Sequence, residues 1–287
     1  MPILEREKLE RDDLAMMRSL WTAASGMTAQ QVQVDVISNN LANVNTTGYK
    51  QETVNFKSLL YQNLETAEQQ AAREEEGRPT VLQVGHGTRV GSIGRDFTTG
   101  SWYATGNDTD MTINGNGYFA ISDGYEVTYT KDGTFRWSNT EEGLALVTAA
   151  EHPVLSVEGE SIIVPEGVPV SSINVDSTGR IFHYDDDGNP VDLAQIQLVQ
   201  FANQDGLEAI GANKYRPTTA SGEPLMEVEN DELSKSKIIT GYLEGSNVNI
   251  ATEMVNLIVA QRAYEMNSTA IKTSDEMLQQ ANQLKRT

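Results

Sequence analysis

Few side chains in this chain of 287 residues have both the type and the spacing that chemistry demands. His86, His152 and His183 stand far apart, and no zinc-type spacing links them to one another or to an acid. Cysteine is absent, so neither disulfides nor thiolate nucleophiles are available. Asp185, Asp187 and Asn189 begin like a calcium loop, but Pro190 stands where that loop needs glycine and Ile196 where it needs a bidentate glutamate. The segment reads better as a charged hairpin turn. Gly85, Gly87 and Gly91 miss the dinucleotide-binding spacing by one residue, with Val90 at the last glycine position. No G-x-S-x-G nucleophile elbow is present, and paired acids in so acidic a chain designate no glycosidase. No catalytic residue, cofactor or metal is expected, which leaves the chemistry of surfaces.

The stretch best suited to surface chemistry is Ile37 to Lys50, ISNNLANVNTTGYK. Asn39, Asn40, Asn43 and Asn45 offer amides that donate and accept hydrogen bonds without the desolvation cost of a charge. Such amides serve helix ends, and they equally serve contacts between closely packed subunits. Gly48 is the expected helix stop.

The preceding element is a helix with almost no charge, Asp35 being the only ionised side chain between Ser19 and Tyr49. Leu20, Met27, Val34 and Leu41 recur every seven residues, with Ala23, Gln30, Ile37 and Val44 three behind. That is the a/d pattern of a coiled coil. Ala29, Val32 and Val36 lie on the other side, and a helix uncharged all round belongs in an interior. The far end repeats the pattern with Ile250, Leu257, Tyr264, Ile271 and Leu278. Asn249 is the expected N-cap, and Glu253 complements the helix dipole. Two such helices fit an intramolecular hairpin, a coiled-coil dimer, or an oligomeric core in which many termini meet.

The net charge of −20 is unevenly spread: residues 51–246 hold −19 of it, and residues 247–287 are neutral. Neutral ends can crowd together, whereas an acidic middle repels its copies and prefers water. Acids such as Asp185, Asp186, Asp187, Glu227, Glu229 and Glu232 are expected on that solvated surface. Nothing offers a basic patch for nucleic acid, and no run of about 18 apolar residues suggests membrane insertion.

The fold class expected is α+β: long N- and C-terminal α-helices forming a coiled-coil-like core domain, with an inserted mainly-β body. Residues 1–16, mixed in charge and without an apolar signal region, are expected to be a disordered extension. Residues 17–50 and 247–287 make the helical core domain. Residues 51–80 form a connector in which Phe56, Leu59, Leu60 and Leu64 suggest a short amphipathic helix before the polar stretch EQQAAREEEGRP. Residues 81–246 read as β, with runs such as YFAIS, EVTYT, TFRWS and IQLVQF. Asp123-Gly124, Asp132-Gly133, Asp187-Gly188 and Asp205-Gly206 are the expected hairpin turns between them.

Residues Ser19 to Lys50 and Leu243 to Leu284 resemble the two terminal motifs of bacterial flagellar rod and hook proteins, most of all those of the distal rod. Ile113 to Ser138 and Phe201 to Gly222 resemble that family's β domain. The resemblance implies a structural subunit that self-associates into a tubular helical polymer, its terminal helices packed as the inner wall. It implies a shaft in the basal body that spans the periplasm and passes torque from motor to hook. Proximal rod and hook proteins would adjoin it, basal-body ring proteins would surround it, and export would use the flagellar type III system without a cleaved signal. The assembly residues expected on this reading are Leu20, Met27, Val34, Asn39, Asn40, Leu41 and Asn43, with Ile250, Leu257, Tyr264, Ile271 and Leu278. A proximal rod or hook subunit of the same family remains open beside it, as does a secreted acidic β-domain oligomerised by coiled coils.

Overall fold

The computed structural model describes residues 3–63, 83–140, 143–165, 168–185, 188–230 and 233–284. Among them are two long helices, Ile3–Ala42 and Ile250–Leu284, separated by a series of short strands. The chain forms two compact units. One holds Met1–Leu41, Glu52–Gly94 and Asn249–Thr287, and the other holds Ala42–Gln51 and Arg95–Val248.

In the first unit the N-terminal helix begins at Ile3, within the stretch expected to be disordered. Residues 4–11 are all Leu, Glu, Arg or Lys, strong helix formers that carry the helix backward. The same helix ends at Ala42, six residues short of the expected stop. The amphipathic helix expected around Phe56 is instead the strand Glu52–Ser58, paired with Thr88–Arg95, followed by Tyr61–Asn63 antiparallel to Gln83–Gly85. Thr53, Val54 and Phe56 favour the extended backbone, and the side chain of Asn40 hydrogen-bonds the strand's first residue. Leu64 and the EQQAAREEEGRP stretch lie outside the described residues. No described helix is long and apolar enough to cross a membrane.

The second unit is built on a six-stranded antiparallel sheet. Its order is Glu208–Gly211, Lys214–Arg216, Val127–Thr130, Tyr118–Ser122, Leu198–Gln200, Leu225–Met226. Two three-stranded meanders accompany it: Phe135–Thr140, Gly143–Thr148 and Ile163–Val164, and Ile173–Val175, Arg180–Tyr184 and Pro190–Gln195. One core gathers Phe119, Ile121, Phe135, Leu146, Ile181 and Ile196. A second is aromatic, with Tyr118, Tyr129, Phe201, Tyr215 and Phe97 meeting edge to face. That geometry sets the positive ring edges against negative faces.

Of the four Asp-Gly pairs, Asp123-Gly124 lies in an antiparallel hairpin, and the pair at Gly188 falls partly outside the described residues. Asp132-Gly133 instead carries the chain from one sheet to another. Asp132 Oδ1 accepts from the amide and hydroxyl of Thr134, and a Cβ on Gly133 would collide with the carbonyl oxygen of Met111. Asp205-Gly206 sits in a short 3-10 turn. Glu227 is also not the surface acid expected: it is buried and accepts from Ser236 N, Ser236 Oγ and Gln200 Nε2 at 2.7–2.8 Å. Three donors satisfy a carboxylate in place of water. Asp186, Asp187 and Glu232 lie outside the described residues.

Candidate assembly surface

In the first unit, Ser19 Oγ lies 3.4 Å from Ser274 Oγ, and Asn40 Nδ2 lies 3.0 Å from Glu253 Oε2. These two pairings make the terminal helices antiparallel neighbours. Between them, a Cβ added to Gly26 would come within 2.8 Å of Asn267 Nδ2, so glycine there permits the close approach. The buried positions are mostly small or polar: Ala23, Ala29 and Asn40 with Val36 and Ile37 on one helix, and Glu253, Ala260 and Ser274 on the other. Heptad spacing is kept, since Glu253, Ala260, Asn267 and Ser274 also recur every seven residues.

Asn40 closes the end of this seam. Its amide accepts from Glu52 N–H at 2.9 Å and donates to Glu52 C=O at 2.8 Å, as a neighbouring strand would. The same amide donates to Glu253, which also accepts from Asn256 Nδ2 at 3.1 Å. Asn40 is 1 % exposed and Glu253 2 %, so both act inside the chain rather than on the face between subunits first expected for Asn40. Asn249 caps the C-terminal helix, its Oδ1 accepting from Thr252 N–H at 3.2 Å.

The other expected assembly residues fall elsewhere. Leu20, Met27, Val34 and Leu41 are half-buried, as are Leu257, Ile271, Leu278 and Asn43, while Ile250, Tyr264 and Asn39 are exposed. Asn39 Nδ2 donates to Glu52 Oε2 at 3.2 Å. Sequence reasoning missed an exposed apolar group: Met254, Val255, Ile258 and Val259, on the first three turns of the C-terminal helix, are each more than half exposed. Met17 and Trp21 of the N-terminal helix are also exposed. The signal was present as an apolar run outside the heptad columns.

In the second unit the two chain ends that lead to the helices are tied side by side. Lys50 Nζ is buried against Glu244 Oε1 at 2.7 Å and donates to the carbonyl of Thr98 at 2.8 Å. Glu244 also accepts from Gly100 N–H, and its own carbonyl accepts from Gly48 N–H, both at 2.8 Å. Gly48 has φ +66 and lies against the backbone of Asp132, so it serves close approach rather than helix termination. Asn247 Oδ1 accepts from Gln51 N–H at 2.7 Å, while its Nδ2 donates to Asp96 C=O at 2.8 Å. Nearby Lys131 is buried with its ammonium 4.9 Å above the Tyr118 ring. Burial first, and then the charge of Lys50, bring its pKa down to about 8 against the opposing pull of Glu244.

The histidines occupy unrelated settings. His86 Nδ1 lies 3.1 Å from the Leu60 carbonyl, and His183 Nδ1 is buried without a hydrogen-bond partner among the described residues. His152 Nδ1 contacts Asp123 at 3.0 Å. Among the described residues no three metal-ligating side chains gather.

Three family models match. Residues 20–50 match the flagella basal body rod protein model, 112–183 the D1 domain of the flagellar hook protein FlgE/F/G, and 239–284 the C-terminal model of the flagellar basal body rod FlgEFG proteins. The flagellar basal-body rod protein FlgG of Borreliella burgdorferi is 44 % identical over 274 residues, covering 94 % of this chain and 100 % of that one. The FlgG proteins of Caulobacter vibrioides and Bacillus subtilis are 40 % and 38 % identical, each over 271 residues with the same coverage. The crystal structure of the Helicobacter pylori flagellar hook protein FlgE2 aligns with a TM-score of 0.23 at 15 % identity, over 57 % of this chain and 47 % of that one, a likeness too slight to bear on the fold.

Proposed function

This chain belongs to the flagellar basal-body rod protein family, and we propose that it is the structural subunit of the distal rod, copies of which self-assemble into a tubular helical shaft that transmits motor torque to the hook. The observation that carries the assembly reading is the exposed apolar band Met254, Val255, Ile258 and Val259. A contiguous apolar surface of this kind marks an interaction site, and within this family a second copy is the natural cover. The antiparallel helix pair buries mostly small and polar side chains and leaves most of its large apolar ones to its neighbours. Coiled-coil-like packing then arises between copies, with Leu20, Met27, Val34, Leu41, Leu257, Tyr264, Ile271 and Leu278 completing contacts that one chain leaves half made.

On this reading the helix pair is the core domain of the shaft and residues 95–248 form the β body. The relatives are structural proteins, and no catalysis is assigned. Proximal rod and hook subunits adjoin the shaft at its ends, ring proteins surround it, and the subunit reaches the periplasm through the flagellar export apparatus. Electron microscopy of concentrated protein tests the reading. The parent chain should form straight tubes, and the double variant Ile258→Asp/Val259→Asp should form none while keeping its β-sheet circular dichroism. Tubes of normal length from the double variant would sink the proposal.

A further inference from the structure

The hairpin joining Tyr118–Ser122 to Val127–Thr130 ends in Tyr125, which is fully exposed. The turn around it is firmly held. Asp123 N–H donates to the Glu126 carbonyl at 3.1 Å, and Gly124 takes φ +81. On one side Asp123 is paired with Lys214 at 3.0 Å and His152 at 3.0 Å. On the other, Glu126 accepts from Arg216 Nε at 3.0 Å and is bridged by the same guanidinium's second nitrogen. Beside His152, Glu151 is paired with Arg136 at 3.2 Å. Every acid at this tip therefore has a basic partner, in a middle segment that carries −19. Net negative charge opposes contact between like bodies, and the pairing of the acids at this tip weakens that opposition locally.

Next to the tip lies a cavity of about 170 Å³ lined by Ile121, Ala149, Ala150 and Ala212 together with polar groups that include Asp132, His152 and Lys214. Glu151, Ala212 and Asn213, the non-glycine residues with left-handed backbone among those described, sit in the two turns that bound it. Such turns hold a fixed shape, and a preformed concavity of this volume matches a single phenol side chain. The ring would rest on alanine methyls and the hydroxyl would meet the polar groups. Tyrosine combines an apolar body with a polar tip and is enriched at interface hot spots for that reason. Because Tyr125 is wholly exposed, it does not fill the cavity of its own chain.

We propose that Tyr125 is a docking knob that seats in this cavity on a second copy of the chain, linking neighbouring β bodies head to tail. A knob and a separate hole on one surface make a heterologous contact, which repeats into an open row. This rests on the distal-rod reading for its partner, a second copy, but concerns a surface apart from the helices.

The absence of native cysteine makes the test clean. The double variant Tyr125→Cys/Ala150→Cys is oxidised both in assembled shafts and as concentrated soluble protein, then run on a non-reducing gel. A ladder beyond dimers from the double variant, with none from either single variant, is the expected result. No ladder in either sample, or closed dimers alone, overturns the proposal. Tyr125→Ala should raise the critical concentration for assembly about tenfold, and Tyr125→Phe should restore most of that loss. Failure of the parent chain to form tubes would count against the distal-rod reading, whereas tubes without a ladder would count against the knob alone.

Discussion

Lys50 and Glu244 are separated by 194 positions in sequence, yet their charged ends meet 2.7 Å apart with almost no access to water. One stands at the entry to the β body and the other at its exit, so the pair can form only when both ends of the body have come together. The carbonyl of Thr98 and the amide of Gly100 supply further hydrogen bonds, which a buried pair needs to offset its lost hydration.

Breaking that pair should cost more than deleting it. Lys50→Met leaves Glu244 buried with too few donors, a loss of about 3–5 kcal/mol for an orphaned charge. The double variant Lys50→Met/Glu244→Leu should recover most of it, because two apolar side chains can occupy the same space. Urea unfolding of the three proteins checks this. Equal losses in the single and double variants would show that the charges are not coupled.

Lys131 is the opposite case, a buried ammonium with a carbonyl and a ring but, among the described residues, no carboxylate partner of its own. Its folded-state pKa of about 8 lies below the ordinary value of 10.5. Below pH 8 the lysine is charged both folded and unfolded, and the folded state bears the full cost of burying it. Between pH 8 and 10.5 the unfolded chain binds the proton more tightly, so stability rises with pH across that window. Lys131→Met should therefore be more stable than the parent at pH 7, and its advantage should shrink by about 2–3 kcal/mol by pH 10.5. Parallel urea melts at the two pH values decide it; a constant difference would mean that Lys131 is not the titrating group.

The two helices and the β-rich middle were legible because periods of seven and two each leave a clear pattern. The inward side of each helix was not. Leu20 and Ile37 both lie in columns that repeat every seven, and periodicity gives no ranking between them. Gly26 contributes by letting the helices approach closely, so that mostly small residues are buried with Val36 and Ile37 while Leu20 is left half-buried. Charged residues misled for a related reason. Glu227 looks like a surface acid until Ser236 and Gln200, which satisfy it, are known, and no local pattern joins Glu244 to Lys50 or Glu253 to Asn40.

Asn40 should tolerate neither loss nor gain of charge. In Asn40→Asp, a carboxylate would face Glu253 at the place where an amide now donates at 3.0 Å. Two buried carboxylates that close cannot both ionise. Asn40→Ala removes the repulsion but leaves Glu52 N–H, Glu52 C=O and Glu253 short of partners, each worth about 1–3 kcal/mol when buried. Hydrogen exchange over residues 250–260 should quicken in both variants, and more in Asn40→Asp at neutral pH than at pH 4. Unchanged exchange in both would remove Asn40 from the account of the seam.

Leu257 offers the strictest test of the division between helix pair and β body. It is half-buried on the C-terminal helix, one heptad after Ile250 and one before Tyr264, on the edge of the seam toward which neighbouring copies would pack. Truncating a buried leucine costs about 2–5 kcal/mol. A carboxylate in its place adds the desolvation of an unpaired charge or forces its own protonation. In a polymer the defect recurs in every subunit, so its effect on assembly multiplies while the fold of a single chain meets it once. Leu257→Asp should therefore form no tubes, and cells carrying it should not swim. Its β-sheet circular dichroism and the cooperative melt of the second unit should match the parent, because Leu257 belongs to the other unit. Normal tubes would refute the role of the terminal helices in assembly. Loss of the β signal as well would mean that the helix pair and the β body fold as one.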